Sequence, residues 1–404
     1  MREIFVMGAG VVGMTSAYAL AQQGYSVTVI DAGHGPAEGG ASFGNGAQLS
    51  YSYTDALASP SLVRNLPKYL MGLDPAFRLR PAFSPGFWIW AAAFLANATR
   101  VKFEKNTIEV LKLALESRNA LTNISGELDF AHRNAGKLTL YSSPEAIREA
   151  EALSRLKNTF GLEQVILSSE EALKREPALA GYGHSFAGAL WSPFDEAGDS
   201  RRFCEQLKIM LERQFGVRFE FNTTIKALIQ LDGRLVAIRT DKGDRACRHA
   251  VLSLGIWSRD IAKTAGLALP IWPMQGYSLT VPATSAAPAA SITDSARKMV
   301  FCRIGDQVRI AGLADIGSKK ARFNQSRFDQ LFDAAKTAFP EAGDYRSNVH
   351  AWTGFRPITP NSRPIIGPSK IEGLFLNCGH GSLGWTLSMG SASRLASLVN
   401  NVSR

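Results

Sequence analysis

The sequence lacks the features that would point to a metalloprotein, a disulfide-stabilised secreted domain or a membrane-spanning chain. Its four cysteines lie dozens of residues apart and never form a C-x-x-C pair, which argues against a zinc site and a disulfide framework. The histidines form no spaced cluster, so no metal is expected. No run of five like charges, internal repeat or low-complexity stretch occurs. What is present is a chain of 404 residues, 46% hydrophobic, long enough for two or three soluble globular domains.

The charge balance is basic without being concentrated. The 45 lysines and arginines exceed the 35 aspartates and glutamates by ten. Such an excess is found in nucleic-acid binders, in proteins that meet anionic membranes and around cavities for anions. Because the basic residues are scattered and no aromatic–basic RNA motif is present, we exclude nucleic acid as the partner. A solvated basic surface accounts for the charge equally well.

One apolar segment, residues 87–96, is rich in aromatic side chains. At ten residues it cannot span the roughly 30 Å of hydrocarbon in a bilayer. Two interpretations stay open: a buried helix of a second domain, or an interfacial patch that touches a membrane or a partner protein. The flanking cations that would suit the second are Arg78, Arg80, Arg100 and Lys102.

The beginning of the chain carries no basic leader with a cleavage site, so its apolar stretch is interpreted as part of a nucleotide-binding fold. We therefore expect the protein to reside in the cytoplasm. If the apolar segment docks as an interfacial patch, peripheral contact with the inner face of the cell membrane is expected as well.

The first thirty residues follow the order strand, glycine turn, helix, strand. A short apolar strand is predicted at 2–7, a helix at 11–23 that Gly24 ends, and a second strand at 27–30. This βαβ start implies a parallel sheet with helices on its faces.

The turn between the first strand and the helix has the spacing of a dinucleotide-binding loop. Gly8, Gly10 and Gly13 permit a tight turn, a close approach of the backbone to pyrophosphate and close packing of helix on strand. Asp31 closes the second strand, where a carboxylate accepts hydrogen bonds from a ribose 2′-hydroxyl. The acid disfavours a 2′-phosphate, so FAD and NAD remain the candidates.

Two further glycine-rich segments favour FAD over NAD. The loop at 39–50 follows Asp31, and its Ser42 and Asn45 are candidates to bond the phosphates of a long dinucleotide. Residues 377–386 form a glycine-rich turn before a helix predicted at 387–399. Such a turn presents backbone N–H groups and a positive helix end, which suit the negative charge of a reduced flavin.

These segments resemble the bacterial D-amino acid dehydrogenases of the D-amino acid oxidase superfamily, and the resemblance covers nearly the whole chain. The matching segments are 8–13, 45–50, 195–199, 277–282, Arg303 with 309–315, 352–357 and 377–386. Three departures stand out. Gln275 replaces a common lysine, Gly46 and Ala47 appear in swapped order, and the C-terminal extension usual there is missing.

The resemblance implies a non-covalently bound FAD that accepts a hydride from the α-carbon of a D-amino acid or a related small amino acid. It also implies reoxidation by a quinone or another electron carrier. Related enzymes act on D-hydroxyproline, glycine or opines, so an FAD-binding subunit of a hetero-oligomeric dehydrogenase is the alternative.

The expected fold is α/β, with a discontinuous Rossmann-like FAD-binding domain and a second α+β substrate domain on a mixed or antiparallel sheet. The FAD-binding domain is predicted at 1–80, 190–268 and 345–404, and the substrate domain at 81–189 and 269–344. A long helix at 100–120 and strands in the middle of the chain support this mixture. The strands are predicted at 136–141, 217–221, 235–240, 249–254, 278–281, 299–301, 308–311 and 374–376.

Arg356 is the first candidate for the substrate carboxylate, because a guanidinium fork binds both oxygens in one plane. In the resembling family the carboxylate-binding arginine lies in this motif. The other candidates for contact with substrate are Tyr53, Tyr277, Gln48 and Arg303, with Arg309 as a further source of charge. A buried core role for either tyrosine, and a solvated hairpin role for one of the two arginines, stay open.

The residues expected to contact FAD come from all the glycine-rich segments and from the strand ends near them. His380 is interpreted as one of these contacts rather than as a general base. The full set is Gly8, Gly10, Val11, Val12, Gly13, Asp31, Ala32, Ser42, Asn45, Gly46, Ala47, Gln48, Ile225, Gly255, Trp257, Gly354, Gly379, His380, Gly381, Ser382, Leu383, Gly384, Trp385 and Thr386.

Overall fold

A computed structural model of the protein describes residues 2–317 and 321–402. Its α-helices are α1 (Val11–Gln22), α2 (Pro60–Arg64), α3 (Leu66–Leu70), α4 (Pro85–Ala96), α5 (Arg100–Ser125), α6 (Pro144–Asn158), α7 (Ser169–Arg175), α8 (Ser200–Phe215), α9 (Ser258–Thr264), α10 (Gln325–Ala338) and α11 (Gly384–Val402).

The strands of the first half of the chain are β1 (Glu3–Met7), β2 (Ser26–Ile30), β3 (Gln48–Leu49), β4 (Phe77–Leu79), β5 (Lys137–Tyr141), β6 (Val165–Ser168), β7 (Gly188–Ser192) and β8 (Glu196–Ala197). Those of the second half are β9 (Arg218–Glu220), β10 (Ile225–Leu231), β11 (Arg234–Thr240), β12 (Gly243–Ala246), β13 (Ala250–Leu252), β14 (Trp272–Pro282), β15 (Ser291–Asp294), β16 (Met299–Ile304), β17 (Gln307–Ile316), β18 (His350–Ile358), β19 (Ile365–Pro368) and β20 (Leu374–Cys378).

The first sheet is built around β1 and has the order β19-β20-β13-β1-β2-β9. The five strands from β20 to β9 are parallel, and β19 is antiparallel at the edge. Along β1, Ile4 and Val6 pack into a core with α1, α5, α8 and α11, whereas Phe5 and Met7 pack toward the β10–β12 meander. This burial on both faces is what a parallel sheet requires, and it explains the continuous apolar run of β1.

The second sheet has nine strands in the order β18-β14-β17-β16-β15-β5-β7-β6, with β4 paired to β17. It is mixed, because β15–β5 and β17–β4 are parallel and the other pairs are antiparallel. Tyr277 and Leu279 on one face of β14 pack with Phe328 and Leu331 of α10. The opposite face of β14 is turned toward the first sheet, since Ser278 Oγ donates to the carbonyl of Gly44 at 2.6 Å.

The α/β class and the mixed second sheet are confirmed. The helices predicted at 11–23, 100–120 and 387–399 are α1, α5 and α11. The predicted domain boundaries differ from the strand pairing at β4 and β18. Both were expected in the cofactor domain, yet they hydrogen-bond within the nine-stranded sheet. We propose two domains, each built on one large sheet, with β4 and β18 in the second.

Helix α4 is buried on one side and exposed on the other, so it has features of both interpretations of its apolar segment. Phe87, Trp90 and Phe94 recur every three or four residues and are buried, while Trp88 and Ile89 are exposed. Ser84 caps the helix by accepting from the Phe87 backbone N–H. Across the described residues, no helix has both the length and the hydropathy needed to cross a bilayer.

Candidate active site

The turn between β1 and α1 contains three glycines with different surroundings. Gly8 has φ +106°, and a methyl group on it would lie 2.7 Å from the Ser253 carbonyl oxygen. A methyl group on Gly13 would lie 1.8 Å from the Gly8 carbonyl oxygen, so α1 packs directly on the turn. A methyl group on Gly10 would contact only Ser42 Oγ, at 3.4 Å. Gly10 therefore faces an open cradle at the N-terminus of α1, where a phosphate would sit.

Asp31 lies at the end of β2 and ties the neighbouring loops together. Its two carboxylate oxygens accept from the backbone N–H groups of Ala9 and Gly33, each at 2.7 Å. Ser253, after β13, donates to the Met7 carbonyl at 2.8 Å. Parallel strands end at the same edge of a sheet, so the segment that carries the predicted Gly255 and Trp257 lies beside the glycine turn.

Of the remaining predicted contacts near Asp31, Ile225 begins β10 and its side chain is buried in the core shared with β13. The side chain of Trp257 is exposed. Ala32 follows Asp31 and is also exposed, and Val12 lies in the first turn of α1.

The loop at 39–50 runs from the glycine turn to the nine-stranded sheet. A methyl group on Gly44 would lie 2.6 Å from the indole of Trp352, and one on Gly46 would lie 2.9 Å from Cγ2 of Val300. Small residues are thus needed here for a reason of packing, because the loop is pressed against the sheet.

Ser42 and Asn45 hydrogen-bond within the protein. Ser42 Oγ accepts from the Val11 N–H at 3.0 Å, at the N-terminus of α1. Asn45 donates to Ser200 Oγ at 2.7 Å and accepts from the Ala47 N–H at 2.9 Å. By contrast, Nε2 of Gln48 is buried and has no hydrogen-bond partner among the described residues. An unsatisfied buried donor beside this loop marks a place for a polar ligand atom.

The C-terminal turn is held against both the 39–50 loop and β18. Gly379 and Gly381 adopt φ +79° and +58°, and α11 begins at Gly384. Thr386 Oγ1 accepts from the Ser50 N–H at 3.0 Å. Residue 380 forms a bridge with Ile358 of β18. The turn predicted to meet the flavin therefore lies close to the strand that carries Arg356.

His380 is buried within this turn, and its Nε2 lies 3.0 Å from Ser391 Oγ. Burial lowers the pKa of His380 to about 3. The imidazole is neutral at physiological pH, and with so low a pKa it is a weak base. Trp385 donates from Nε1 to the Gly198 carbonyl at 3.1 Å and fixes the first turn of α11.

Arg356 projects from β18 on the face of the nine-stranded sheet that is turned toward the first sheet. Its register partner is Met274, on the same face as Gly276 and Ser278. Nη1 donates to the Leu313 carbonyl at 2.9 Å. Burial lowers the pKa of Arg356 to about 10, with Asp315 opposing the shift, so the guanidinium is still charged at neutral pH.

Not all of the other residues predicted to contact the substrate lie close to Arg356. Tyr277 belongs to the opposite face of β14, where its hydroxyl accepts from Gln275 Nε2 at 3.1 Å. Tyr53 lies beyond β3, with its ring 4.1 Å from Lys137 Nζ.

The two hairpin arginines also lie apart from Arg356. Arg303 pairs with Val308 at the hairpin end of β16, seven positions along β14 from Met274, or roughly 23 Å at about 3.3 Å per residue. Arg309 is buried and paired with Asp199 at 3.3 Å.

Two residues that the sequence did not bring forward contact the 39–50 loop, Trp352 on β18 and Lys137 on β5, five strands away in the same sheet. The Trp352 indole covers Gly354, since a methyl group there would lie 2.2 Å from Cζ2. Lys137 is almost fully buried and donates to Ser50 Oγ at 3.0 Å. Burial lowers the pKa of Lys137 to about 8. A lysine at the start of a mostly apolar strand was the one available signal for it.

The residues present fit a dinucleotide with a flavin head. The open cradle at Gly10, the carboxylate of Asp31 and the helix start at Gly384 supply the sites for phosphate, ribose and ring. The buried Nε2 of Gln48, two residues before the Ser50 N–H that donates to Thr386, has no partner among the described residues. In the described part of the chain, no group of three or more His, Cys, Asp or Glu side chains could hold a metal ion.

The sequence matches the family described as FAD dependent oxidoreductase over residues 3–398. It is 37% identical over 409 residues to D-amino acid dehydrogenase 2 of Ralstonia nicotianae, covering 98% of this chain and 96% of that protein. Among solved structures, the L-proline dehydrogenase of P. horikoshii has a TM-score of 0.76 at 18% identity, covering 99% of this chain and 93% of that one. The glycine oxidase of Geobacillus kaustophilus has 0.74 at 20%, covering 99% and 95%.

Proposed function

The chain belongs to the family of FAD dependent oxidoreductases, and from this premise we propose that it oxidises a D-amino acid at the α-carbon. The product is an imino acid, which water hydrolyses to the keto acid and ammonia. The D configuration is inferred from relatives such as the Ralstonia nicotianae enzyme, whose name states it. A related small amino acid, such as glycine or a proline analogue, is the alternative substrate.

The single observation that carries this proposal is the state of the Arg356 side chain. Arg327 and Arg309 are buried, and each pairs with a carboxylate, Arg327 with Asp315 at 2.5 Å and Arg309 with Asp199 at 3.3 Å. No described carboxylate oxygen forms a comparable pair with Arg356, whose one acceptor among the described residues is a backbone carbonyl. Arg356 is partly buried, and because a desolvated cation without a paired anion is costly, a substrate carboxylate would supply the missing charge.

The protein's part in the reaction is then mainly one of orientation. FAD, when bound, supplies the hydride acceptor. Arg356 would hold the substrate carboxylate on the inner face of β18 and direct the α-hydrogen away from the sheet. Trp352, on the same face, would border the substrate. Transfer from a neutral amine needs no strong base, and the neutral His380 is consistent with that.

We propose in addition that the electrons pass to a quinone and that an exposed apolar surface docks the protein on an anionic membrane. Nine of the 19 large hydrophobic side chains exposed in the described residues lie within 60–101. We call this segment the apolar surface. The most exposed members are Phe83, Ile89 and Val101. The basic residues interspersed in the segment are Arg64, Lys68, Arg78, Arg80 and Arg100. Apolar side chains interspersed with cations suit the headgroup boundary of an anionic bilayer.

The apolar surface adjoins the candidate site. Trp90 of α4 donates from Nε1 to the carbonyl of Ile358 at 3.1 Å, two residues from Arg356 on β18. Docking through the exposed side of α4 would therefore bring the substrate-binding face close to a lipid-soluble acceptor. A partner subunit of a hetero-oligomeric dehydrogenase is the other occupant to be tested.

An anaerobic titration of the FAD-loaded protein tests the substrate and the catalysis together. D-alanine should bleach the flavin absorption, L-alanine should not, and ethylamine, which lacks the carboxylate, should react poorly. Glycine and D-proline probe the alternative substrates. Bleaching by L-alanine alone, or by none of these compounds and no other D-amino acid, would refute the D-amino acid assignment.

A further inference from the structure

We propose that Gly276 and a bulge at Leu313 form a seat that fixes the plane of the Arg356 guanidinium, so that both are positioning residues for the substrate carboxylate. This inference rests on the proposed function of Arg356. It adds two residues on two other strands, neither of which touches the substrate.

The first observation is the path of the Arg356 side chain. The residue starts from β18, and Nη1 reaches the carbonyl of Leu313 on β17, so the side chain crosses the intervening strand β14. It crosses at Gly276. A methyl group on Gly276 would lie 2.5 Å from Nη2, 2.6 Å from Cζ and 2.8 Å from Nη1 of Arg356. The fork thus lies flat on bare backbone, which any larger residue would obstruct.

The second observation is an irregularity of β17 at the same level. Gln275 pairs with Asp315 and Tyr277 pairs with Gly312, so two steps along β14 correspond to three along β17. The extra residue makes a β-bulge opposite Gly276. Within it, Leu313 has φ +59°, a left-handed conformation that is unfavourable for a leucine.

The bulge explains why the Leu313 carbonyl is available to Arg356. In a regular antiparallel pair that carbonyl would bond or face its strand neighbour, whereas a bulged residue is released from the ladder. The Leu313 side chain is buried in the core with Leu331 and Phe328, which anchors the strained conformation. Packing of the Leu313 side chain on one face of the sheet thereby keeps its carbonyl oxygen in place as the hydrogen-bond acceptor for Arg356 on the other face.

The hydrogen bond from Nη1 to the Leu313 carbonyl and the contact with the Gly276 backbone together define the plane of the Arg356 guanidinium. The remaining N–H donors of Arg356 are then presented at a fixed angle to a ligand above β14. A guanidinium held in this way loses less conformational freedom when it binds a carboxylate, and its two-point contact is aligned in advance.

The test is a double-mutant cycle with propionate, which is D-alanine without its amino group, as the probe. Its dissociation constant is read from the change in flavin absorption of the FAD-loaded protein. Gly276→Ala should weaken propionate at least about tenfold, and Arg356→Ala should weaken it more. In the Arg356→Ala background, Gly276→Ala should change the affinity by less than twofold, because the obstructed group is gone. An equal loss of propionate affinity in the wild-type and Arg356→Ala backgrounds would contradict the proposed seat.

Two further variants separate the possible failures. Gly188→Ala is the matched control, because Gly188 is a crowded glycine on β7 of the same sheet whose methyl group would lie 2.8 Å from Ile147 Cδ1 and the Leu167 carbonyl oxygen rather than near Arg356. It should leave propionate affinity within twofold. If Gly276→Ala does not fold, the Gly276→Ala/Arg356→Ala double variant must still fold, and its failure would contradict the inference. If Arg356→Ala itself leaves propionate binding unchanged, it is the proposed function of Arg356 that fails.

Discussion

Arg356 is the residue on which the proposed chemistry most depends, and it can be changed without altering the glycine turn that would hold FAD. Hydrogen bonds to charged groups contribute about 1.5–3 kcal/mol each. Loss of a two-point contact in Arg356→Ala should therefore lower kcat/KM for D-alanine by roughly 10²–10⁴-fold. Arg356→Lys keeps the charge but not the fork, so it should recover only part of the loss.

The control for Arg356 is the substrate rather than a second residue. Oxidation of ethylamine, which has no carboxylate, should change little in either variant, and both should retain FAD. Near-normal kcat/KM for D-alanine in Arg356→Ala, or loss of the flavin, would contradict the proposed clamp.

Packing of the 39–50 loop gives a reason for glycine at position 46, although Ala47 has φ +57°, a conformation that favours glycine. A methyl group on Gly46 would lie 2.9 Å from Val300 Cγ2, while the methyl group of Ala47 is fully buried beside Cys302. Gly46→Ala should destabilise the fold by about 1–3 kcal/mol through overpacking. Val300→Ala should rescue part of that loss, although it is neutral or destabilising alone.

Urea denaturation of the four proteins in that cycle measures the interaction. We expect a coupling of at least about 1 kcal/mol that favours the double variant. Additive losses would mean that Val300 is not what confines residue 46 to glycine.

His380 makes stability depend on pH in a direction that follows from its burial. Its pKa is about 3 in the folded protein, against roughly 6.5 for an unfolded chain. Between these values the unfolded state binds a proton that the folded state does not, so stability falls as the pH is lowered from about 6.5 toward 3. The slope is about 1.4 kcal/mol per pH unit.

His380→Gln removes the titration and keeps an amide nitrogen that can reach Ser391. Between pH 7 and pH 5, urea denaturation should show that the wild type loses roughly 2 kcal/mol more than this variant. Equal losses would show that His380 is protonated in the folded protein at pH 5.

At the scale of elements, glycines in the β1–α1 turn are needed for two different reasons: Gly10 leaves space for a ligand, and Gly13 allows α1 to pack closely on the turn. Gly10→Ala meets only Ser42 Oγ at 3.4 Å, so the protein should fold but bind FAD roughly 100-fold more weakly, since the methyl group enters the phosphate cradle. Gly13→Ala would place its methyl group 1.8 Å from the Gly8 carbonyl oxygen and should prevent α1 from packing.

Flavin content and circular dichroism distinguish the two outcomes. Gly10→Ala should show native helix content and little bound FAD, whereas Gly13→Ala should lose both. A yellow, stoichiometrically loaded Gly10→Ala protein would show that the pyrophosphate does not lie at this turn.

For the whole molecule, the net charge of +10 and the apolar surface at 60–101 act in the same direction on an anionic membrane. Trp88→Ser/Ile89→Ser should reduce flotation with vesicles of phosphatidylglycerol and phosphatidylcholine at least about fivefold, while activity with an artificial dye is retained. The matched control is Val165→Ser/Leu231→Ser, which removes exposed apolar side chains elsewhere.

Salt and lipid composition complete the membrane experiment. Binding should weaken in vesicles without phosphatidylglycerol and at high ionic strength. If the α4 substitutions leave flotation unchanged, or if the control reduces it equally, membrane docking through the apolar surface is contradicted. Contact with a partner subunit would then be the interpretation of that surface.

The sequence by itself determined the local features. The spacing of Gly8, Gly10 and Gly13 before an apolar helix, and the acid that closes the second strand, depend on residues within about thirty positions of one another. Their geometry is set by the backbone and by a single βαβ unit, so the pattern specified the turn, α1 and β2. Two further glycine-rich segments favoured FAD, and the family resemblance added the motif that makes Arg356 the carboxylate-binding candidate.

Only the tertiary structure decided which distant residues share a face. The sequence joined Tyr277 and Arg303 to Arg356, but the two-residue alternation of β14 turns Tyr277 to the opposite face, and pairing along β16 and β17 puts Arg303 at the far end of the sheet. The sequence around Gly276 and Leu313 contains no pattern that predicts a binding place for a guanidinium. The register of three strands produces it, and register is fixed by packing between segments far apart in the chain.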